Sequence, residues 1–456
     1  MSKHEKFAYP SMNELKAKVS ELNNPIEFAD DLSVLSAQVK VGRRTAPNAF
    51  AILPMEGCDS NTDGSPSPLV ERRYMRFAEG GAGLLWWEAC AVEEAGKANP
   101  LQMMLTNENI RQFKALVKKT NQGAIEANGY RPLNILQLTH SGRYARPEGH
   151  KPIPMILYHD PLLDPRVGID ETYPIVTDEY LDSLPAKYLM SAKLAKEAGF
   201  DGVDIKACHR YLISELLASH TRSGKYGGAL ENRTRLLLDI IRLIRKELGE
   251  EFIIASRFNV YDAHPYPYGF GVHKSGMWTF DPEEPLLLVK MMIRAGADLL
   301  SNSAGNPYYI YPQVTRPFDT SSKGIPTPDE HPLDSVARLF DFTAKIQEAA
   351  GKVPVVGNGY TWLRHFLPYA GASNLAKGKC RFVGLGRMAF AYPDAPRDVL
   401  RYGGMKPEKC CITCSKCTQI MRDHGRTGCV IKDRDIYGPL YKEAMKDAKQ
   451  RDESNK

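Results

Sequence analysis

Four cysteines, Cys411, Cys414, Cys417 and Cys429, stand in the spacing C-x2-C-x2-C-x11-C inside KCCITCSKCTQIMRDHGRTGCVIKD, and five of the nine cysteines fall within twenty residues. Two loop cysteines separated by two residues can turn their sulfurs toward one centre, so this density suits a soft metal, either zinc or an iron-sulfur cluster. Upstream, DGVDIKACHRYL brings Lys206, His209 and Tyr211 together at i, i+3 and i+5. In a strand-to-helix loop, these three would present a cation, an imidazole and a phenol to one mouth. A phenol with an ordinary pKa of about 10 stays protonated at neutral pH, which makes Tyr211 a candidate general acid toward a developing carbanion. Lys206 and His209 are candidates to hydrogen-bond a carbonyl oxygen whose negative charge grows in the transition state. The alternative for this group is a solvated basic loop. Further polar residues interrupt apolar runs: Gln137 in LNILQL, Arg257 in FIIASRF, and Gly384-Leu385-Gly386-Arg387 at the end of FVGLGR. An amide, a cation and a glycine turn followed by arginine, on one rim, suit a planar heterocycle carrying a phosphate. Each taken alone reads equally well as a loop brace.

These residues need a scaffold that brings distant segments to one rim. Eight short apolar runs are strand candidates: AFAILPM (49–55), GLLWWEACAV (83–92), LNILQL (133–138), DGVDIK (201–206), FIIASRF (252–258), ADLLSNS (297–303), VPVVGN (353–358) and RFVGLG (381–386). Between them lie amphipathic stretches such as NIRQFKALVKKTNQ, LPAKYLMSAKLAKEA, ENRTRLLLDIIRLIRKEL, EPLLLVKMMIRAG and LDSVARLFDFTAKIQEAAG, several opening after Asn, Asp or Pro and closing at Gly. Near-continuous apolar strands alternating with helices imply a parallel sheet covered on its outer side, and eight units imply an α/β fold of the (β/α)8 TIM barrel type with a short C-terminal cysteine-rich extension. The division expected is an N-terminal extension over 1–34, a barrel over 35–400 and a cysteine-rich tail over 401–456. Two long connections, HSGRYARPEGHKPIPMILYHDPLLDPRVGIDETYP and YDAHPYPYGFGVHKSGMWTFDP, leave the C-terminal ends of strands, where barrels place their chemistry.

Composition narrows the function classes. The chain has 456 residues, 43% of them apolar, and a net charge of +6 with acidic and basic residues mixed everywhere but the locally basic tail. This argues against a nucleic-acid surface. No stretch reaches the roughly 18 apolar residues of a membrane span, and the N-terminus has no apolar core behind its charges. Clustered thiols without a secretory leader point to a reducing, cytoplasmic setting.

The segments PNAFAILPMEG, GGAGLLWWEACAV, ILQLTHSGRY, GFDGVDIKACHRYLISELLASHTRSGKYGGALENRTRLLLDIIRLIR, PVVGNGY and FVGLGR, in this order, resemble the FMN-dependent Old Yellow Enzyme family over about residues 35–400, and YGGALENR makes the likeness specific. The tail resembles the 2,4-dienoyl-CoA reductase-like branch, whose cysteines after the barrel hold a 4Fe-4S cluster. The resemblance implies FMN as cofactor, with Pro54, Met55 and Ala89 backing the flavin and Gln137 at its pyrimidine edge. It implies Arg257 beside the reduced ring, Gly359, Gly386 and Arg387 at the phosphate, and Tyr211 as proton donor. Three features depart from the family. Lys206 stands where relatives carry His, and a fixed ammonium there would favour a more anionic acceptor. Glu56 stands where relatives carry Cys, Thr or His, and would either lower the flavin potential or turn away to a backbone donor. The cysteine spacing is one residue short between the second and third ligands, which leaves Cys410 as an alternative first ligand through C-x3-C.

The chain stops within thirty residues of Cys429 and holds no G-x-G-x-x-G, so the electrons are expected from outside, from a ferredoxin-like protein or an FAD/NADH-binding subunit. The leading expectation is an ene-reductase acting on a small molecule: hydride from FMN and a proton from Tyr211 reduce an activated C=C bond of an enoyl-CoA, enoate or enone, and electrons enter through the cluster. Two alternatives stay open, an amine or alcohol dehydrogenase passing electrons outward, and a zinc-stabilised barrel without redox chemistry. A homo-oligomer is compatible with all three.

Overall fold

Short runs of apolar residues without polar alternation suit a sheet covered on both faces. In the computed structural model, which describes residues 3–309 and 316–454, the eight runs do so as a closed parallel barrel. An antiparallel hairpin, β1 (Val39–Val41) and β2 (Arg44–Ala46), precedes the barrel strands β3 (Phe50–Ile52), β4 (Leu84–Ala91), β5 (Leu133–Thr139), β6 (Gly202–Ile205), β7 (Ile253–Tyr261), β8 (Leu299–Ala304), β9 (Val355–Gly357) and β10 (Phe382–Leu385). β10 pairs with β3 to close the ring. Each expected segment overlaps one of these strands, with β5, β7 and β8 running past their segments' ends, and the TIM-barrel reading holds.

Alternation along β4 shows how one sequence serves both faces. Leu84 and Trp86 join a cluster inside the barrel with Ile135, Ile253, Leu299, Val356 and Phe382, whereas Leu85 and Trp87 join the outer core. There Trp87 stacks on Tyr74 with ring centroids 3.6 Å apart. The outer layer contains α2 (Pro68–Glu79), α3 (Ile110–Asn128), α4 (Asp178–Ala198), α6 (Leu230–Leu248), α7 (Glu283–Ala295) and α8 (Pro332–Ala350), with α1 (Met12–Glu21) before the hairpin and the single-turn α5 (Leu212–Leu217) after β6. The ring is completed by α9 (Leu367–Ala376), α10 (Arg387–Ala391) and α11 (Ala395–Tyr402). Ser67 and Thr177 cap α2 and α4 through their hydroxyls.

The hairpin, which sequence periodicity does not single out, plugs the N-terminal end of the barrel. Val41 and Ala46 belong to the interior cluster, and Arg44 Nε donates to the carbonyl of Glu251 just before β7 at 3.0 Å. The opposite end carries the strand-end loops and the tail. After α11 the chain folds back over this end through α12 (Lys416–Arg422) and finishes in α13 (Arg434–Ser454). The Thr427 amide donates to the Gly57 carbonyl at 2.8 Å, and Asp433 takes both Arg72, in a two-pronged pair at 2.7 and 2.9 Å, and Arg76 at 2.6 Å from α2.

Candidate active site

An open cavity of about 230 Å³ lies at the C-terminal end of the barrel. Pro54, Met55, Gln137, Lys206, His209, Tyr211, Arg257, Gly359, Gly386 and Arg387 all line it. Ala89 does not. It is fully buried beside an irregularity in the β4–β5 register at Trp87 and Ala89, and its carbonyl accepts a bond from Gln102 Nε2 at 3.3 Å.

The turn after β6 delivers three of these side chains. Lys206 extends the ladder by donating its amide to the Leu138 carbonyl at 3.1 Å. His209 and Arg210 then take left-handed backbone, φ 63° and 61°, a conformation disfavoured for side chains of this size. Arg210 anchors the turn. Its guanidinium is fully buried on Asp262 at 3.1 Å, the Tyr158 hydroxyl at 2.6 Å and Asp160 at 3.5 Å. The reversal leaves His209 Nε2 3.0 Å from Ser303 Oγ and places Tyr211 at the cap of α5. Burial, reinforced by Arg257 and Lys206, pushes His209 well below the usual imidazole range, so the ring is neutral at neutral pH.

Glu56, from the loop after β3, meets this turn. Its Oε1 accepts from Lys206 Nζ at 2.7 Å, and its Oε2 accepts from the Tyr211 hydroxyl at 3.3 Å. Lys206 Nζ also sits 3.9 Å from the centre of the Tyr211 ring. The carboxylate therefore neither turns to a backbone donor nor stands as a lone negative charge, and the ammonium is not free. Burial first, and then Glu56, raise the Tyr211 phenol well above its ordinary range.

On the neighbouring strands, Gln137 Nε2 donates to Asp204 Oδ2 at 2.6 Å, and Asp204 also accepts from Trp86 Nε1 at 2.8 Å and the Arg257 amide at 2.9 Å. Burial raises the Asp204 carboxyl to about 6. Arg257 reaches the Pro54 carbonyl at 3.5 Å, makes no ion pair among the described residues, and keeps a buried Nε without a partner. Arg387 gives Nη2 to the Pro317 carbonyl at 2.5 Å and keeps a buried Nη1 without a partner. Beside it, Gly359 has φ +94°, and a Cβ there would meet Leu339 at 3.0 Å. Unpaired cationic donors around a glycine-lined cradle fit an anionic, phosphate-bearing cofactor such as FMN. Sequence reasoning missed Ser303, Tyr308 and Asn358. Ser303 closes a strand, which is a findable signal. Tyr308, stacked on Tyr144 with centroids 3.4 Å apart, lies in a loop that carries none.

A second, much smaller cavity adjoins the first, and Cys411, Cys414, Cys417 and Cys429 all line it. Cys410 does not, and instead its Sγ donates to the Lys406 carbonyl at 3.5 Å. The Thr413 amide donates to Cys411 Sγ at 3.4 Å and the Lys432 amide to Cys429 Sγ at 3.3 Å. Such bonds stabilise thiolates. Among the described residues, no three His, Cys, Asp or Glu side chains gather on a single-ion position. Four thiols ringing a cavity are a donor set that fits either a four-iron cluster or a zinc ion. Cys417, Arg387 and Phe390 line both cavities.

The family model described as NADH:flavin oxidoreductase / NADH oxidase matches residues 35–268. The chain is 26% identical over 388 residues to NADH oxidase of Thermoanaerobacter brockii, covering 84% of this chain and 52% of that protein. It is 25% identical over 429 residues to cinnamate reductase of Clostridium sporogenes, covering 88% of this chain and 58% of the relative. It therefore spans about half the length of these relatives. The solved complex of 2-naphthoyl-CoA reductase with 2-naphthoyl-CoA matches in fold with a TM-score of 0.70 at 21% identity, covering 91% of this chain and 58% of that one.

Proposed function

The chain belongs to the NADH:flavin oxidoreductase / NADH oxidase family, an FMN-dependent oxidoreductase barrel, and on that premise we propose that it is an ene-reductase reducing an activated C=C bond of a small carbonyl compound. The observation that carries this reading is one cavity in which a buried phenol, an ammonium and a neutral imidazole face a cradle for a flavin phosphate. Bound there, FMN supplies hydride transfer, and an iron-sulfur cluster on the four thiols supplies one-electron exchange. The chain's own residues do the rest. Arg387, Gly359 and Gly386 hold the phosphate. Gln137, its amide nitrogen fixed by Asp204, keeps its carbonyl oxygen for the flavin edge, and Arg257 offers a positive charge beside it. Lys206 and His209 donate to the substrate carbonyl oxygen, and the Tyr211 hydroxyl gives its proton to the α-carbon.

The four thiols share Cys417 with the flavin cavity, which supports electron entry through the tail from an external donor, a ferredoxin-like protein or a flavin-bearing subunit. It also favours Cys411 over Cys410 as the first ligand. The test is an anaerobic screen of enoyl-CoA, enoate and enone acceptors against dithionite-reduced protein, with iron and sulfide assayed in the same preparation. Reoxidation of the flavin by one acceptor class, with four irons per chain, is expected. No reoxidation by any of them would overturn the reading.

A second reading, dehydrogenation of an amine or alcohol with electrons passing outward, gains from Glu56. Pairing of that carboxylate with Lys206 removes the repulsion that a free ammonium would exert on a cationic substrate. Flavin bleaching by amines without added reductant would establish this direction instead.

A further inference from the structure

Glu56 is the one acidic side chain lining the substrate cavity among the described residues. It arrives from the β3 end, whereas its partner arrives from the β6 end, 150 residues later. The side chains of Lys206 and Glu56 are 3% and 15% exposed, so water does little to screen either charge. Of the other cations on the wall, Arg257 and Arg387 stand at the flavin cradle, and Arg316, whose Nη2 donates to Thr418 Oγ1 at 3.1 Å, stands on the tail side. Among the described residues, the charge that a substrate's reacting end meets is therefore the Lys206–Glu56 pair and no other.

From this juxtaposition we propose that Glu56 is a specificity-determining residue that makes the substrate end of the cavity electrically neutral and so selects acceptors whose activating carbonyl is uncharged, such as ketones, esters, thioesters or amides, over free carboxylates. The inference rests on the assignment of this cavity to the substrate. Its physical basis is competition for one ammonium. A substrate carboxylate would have to displace Glu56 from Lys206, which leaves a buried carboxylate unpaired, or lie beside Glu56 without a countercharge. A neutral carbonyl oxygen needs neither. It takes one of the two remaining ammonium hydrogens while the third stays on Glu56 Oε1, and the Tyr211 hydroxyl stays on Oε2. Lys206 by itself would have reversed this preference, so the selectivity belongs to the pair.

The test uses flavin-loaded protein and two ligands of nearly equal shape, benzoate and benzamide, with affinities read by calorimetry at neutral pH and no turnover required. Wild-type protein should bind benzamide at least about tenfold more tightly than benzoate, because discrimination is the difference between the two binding free energies. E56Q should invert the order by leaving the ammonium unneutralised. The double variant E56Q/K206M should restore preference for benzamide. E56T provides the same comparison in case E56Q fails to retain flavin. A wild-type preference for benzoate, or a ratio that E56Q and E56T leave unmoved, would overturn the proposal. Failure of wild-type protein to bind either ligand would instead overturn the assignment of the cavity to substrate, and the proposal with it.

Discussion

The Tyr211 hydroxyl hydrogen is committed to Glu56 before any substrate arrives, so protonating a carbanion requires that bond to exchange for one to carbon. Tyr211→Phe removes the donor and little else, because the ring packs against Lys206 in either case. Flavin content should stay unchanged while acceptor reduction slows by about 10²–10⁴-fold, the usual range for a lost general acid, as measured by stopped-flow reoxidation of the reduced flavin. Lys206, His209 and Tyr211 were legible from sequence because they lie within six residues of one another after an apolar run. Their carboxylate partner was not legible as a partner. Glu56 drew notice as an unusual residue, but an ion pair between the ends of two strands leaves no local signal. Ala89 lies outside the cavity lining for another reason. The register irregularity at Trp87 and Ala89 interrupts the two-residue alternation that places side chains on a strand, and no sequence pattern announces it.

The β6–α5 turn is an element held in a strained shape by one buried guanidinium. Arg210→Ala should cost about 3–5 kcal/mol in chemical denaturation, because Asp160 and Asp262 would remain buried without their countercharge. The contact between the α12–α13 connection and the loop after β5 is sensitive to acid. His424 lies against His150, with ring centroids 4.7 Å apart, and Arg146 and Arg451 stand beside both while Asp447 opposes them. Burial and these cations hold His424 at about 4, below its ordinary 6.5. The folded protein then binds fewer protons than the unfolded chain between those values, so this contribution to stability is complete above pH 6.5 and is lost as pH falls toward 4. Asp204, raised to about 6, works in the opposite sense. His424→Asn, which suits the left-handed backbone at φ 62°, isolates the histidine term. The drop in melting temperature between pH 7 and pH 5 should be smaller in that variant than in wild type. At this scale, the eight barrel strands were legible because continuous apolar runs have few other fates. The β1–β2 hairpin was not, since VKVGRRTA is short and half polar, and only its packing beneath the barrel gives it a purpose.

For the whole molecule, the tail and the barrel share a wall. Cys417, Thr418, Met421 and Thr427 line the flavin cavity, and the Arg73 guanidinium ties the Thr427 carbonyl, at 3.0 Å, to Glu88 and Asp59 in the barrel. The spacing of the cysteines announced a metal site, but not that the site would roof another one. Replacing Cys417 and Cys429 together by Ser should leave the barrel folded and the flavin bound, yet accelerate exchange of bound FMN for isotopically labelled FMN, as measured by mass spectrometry of the holoprotein. A roof that also forms a wall couples the two sites. Any group held by the four thiols would then bear on the wall of the flavin cavity through Cys417. A chain whose thiols are left bare would keep the looser wall and exchange its flavin faster than one whose thiols are filled.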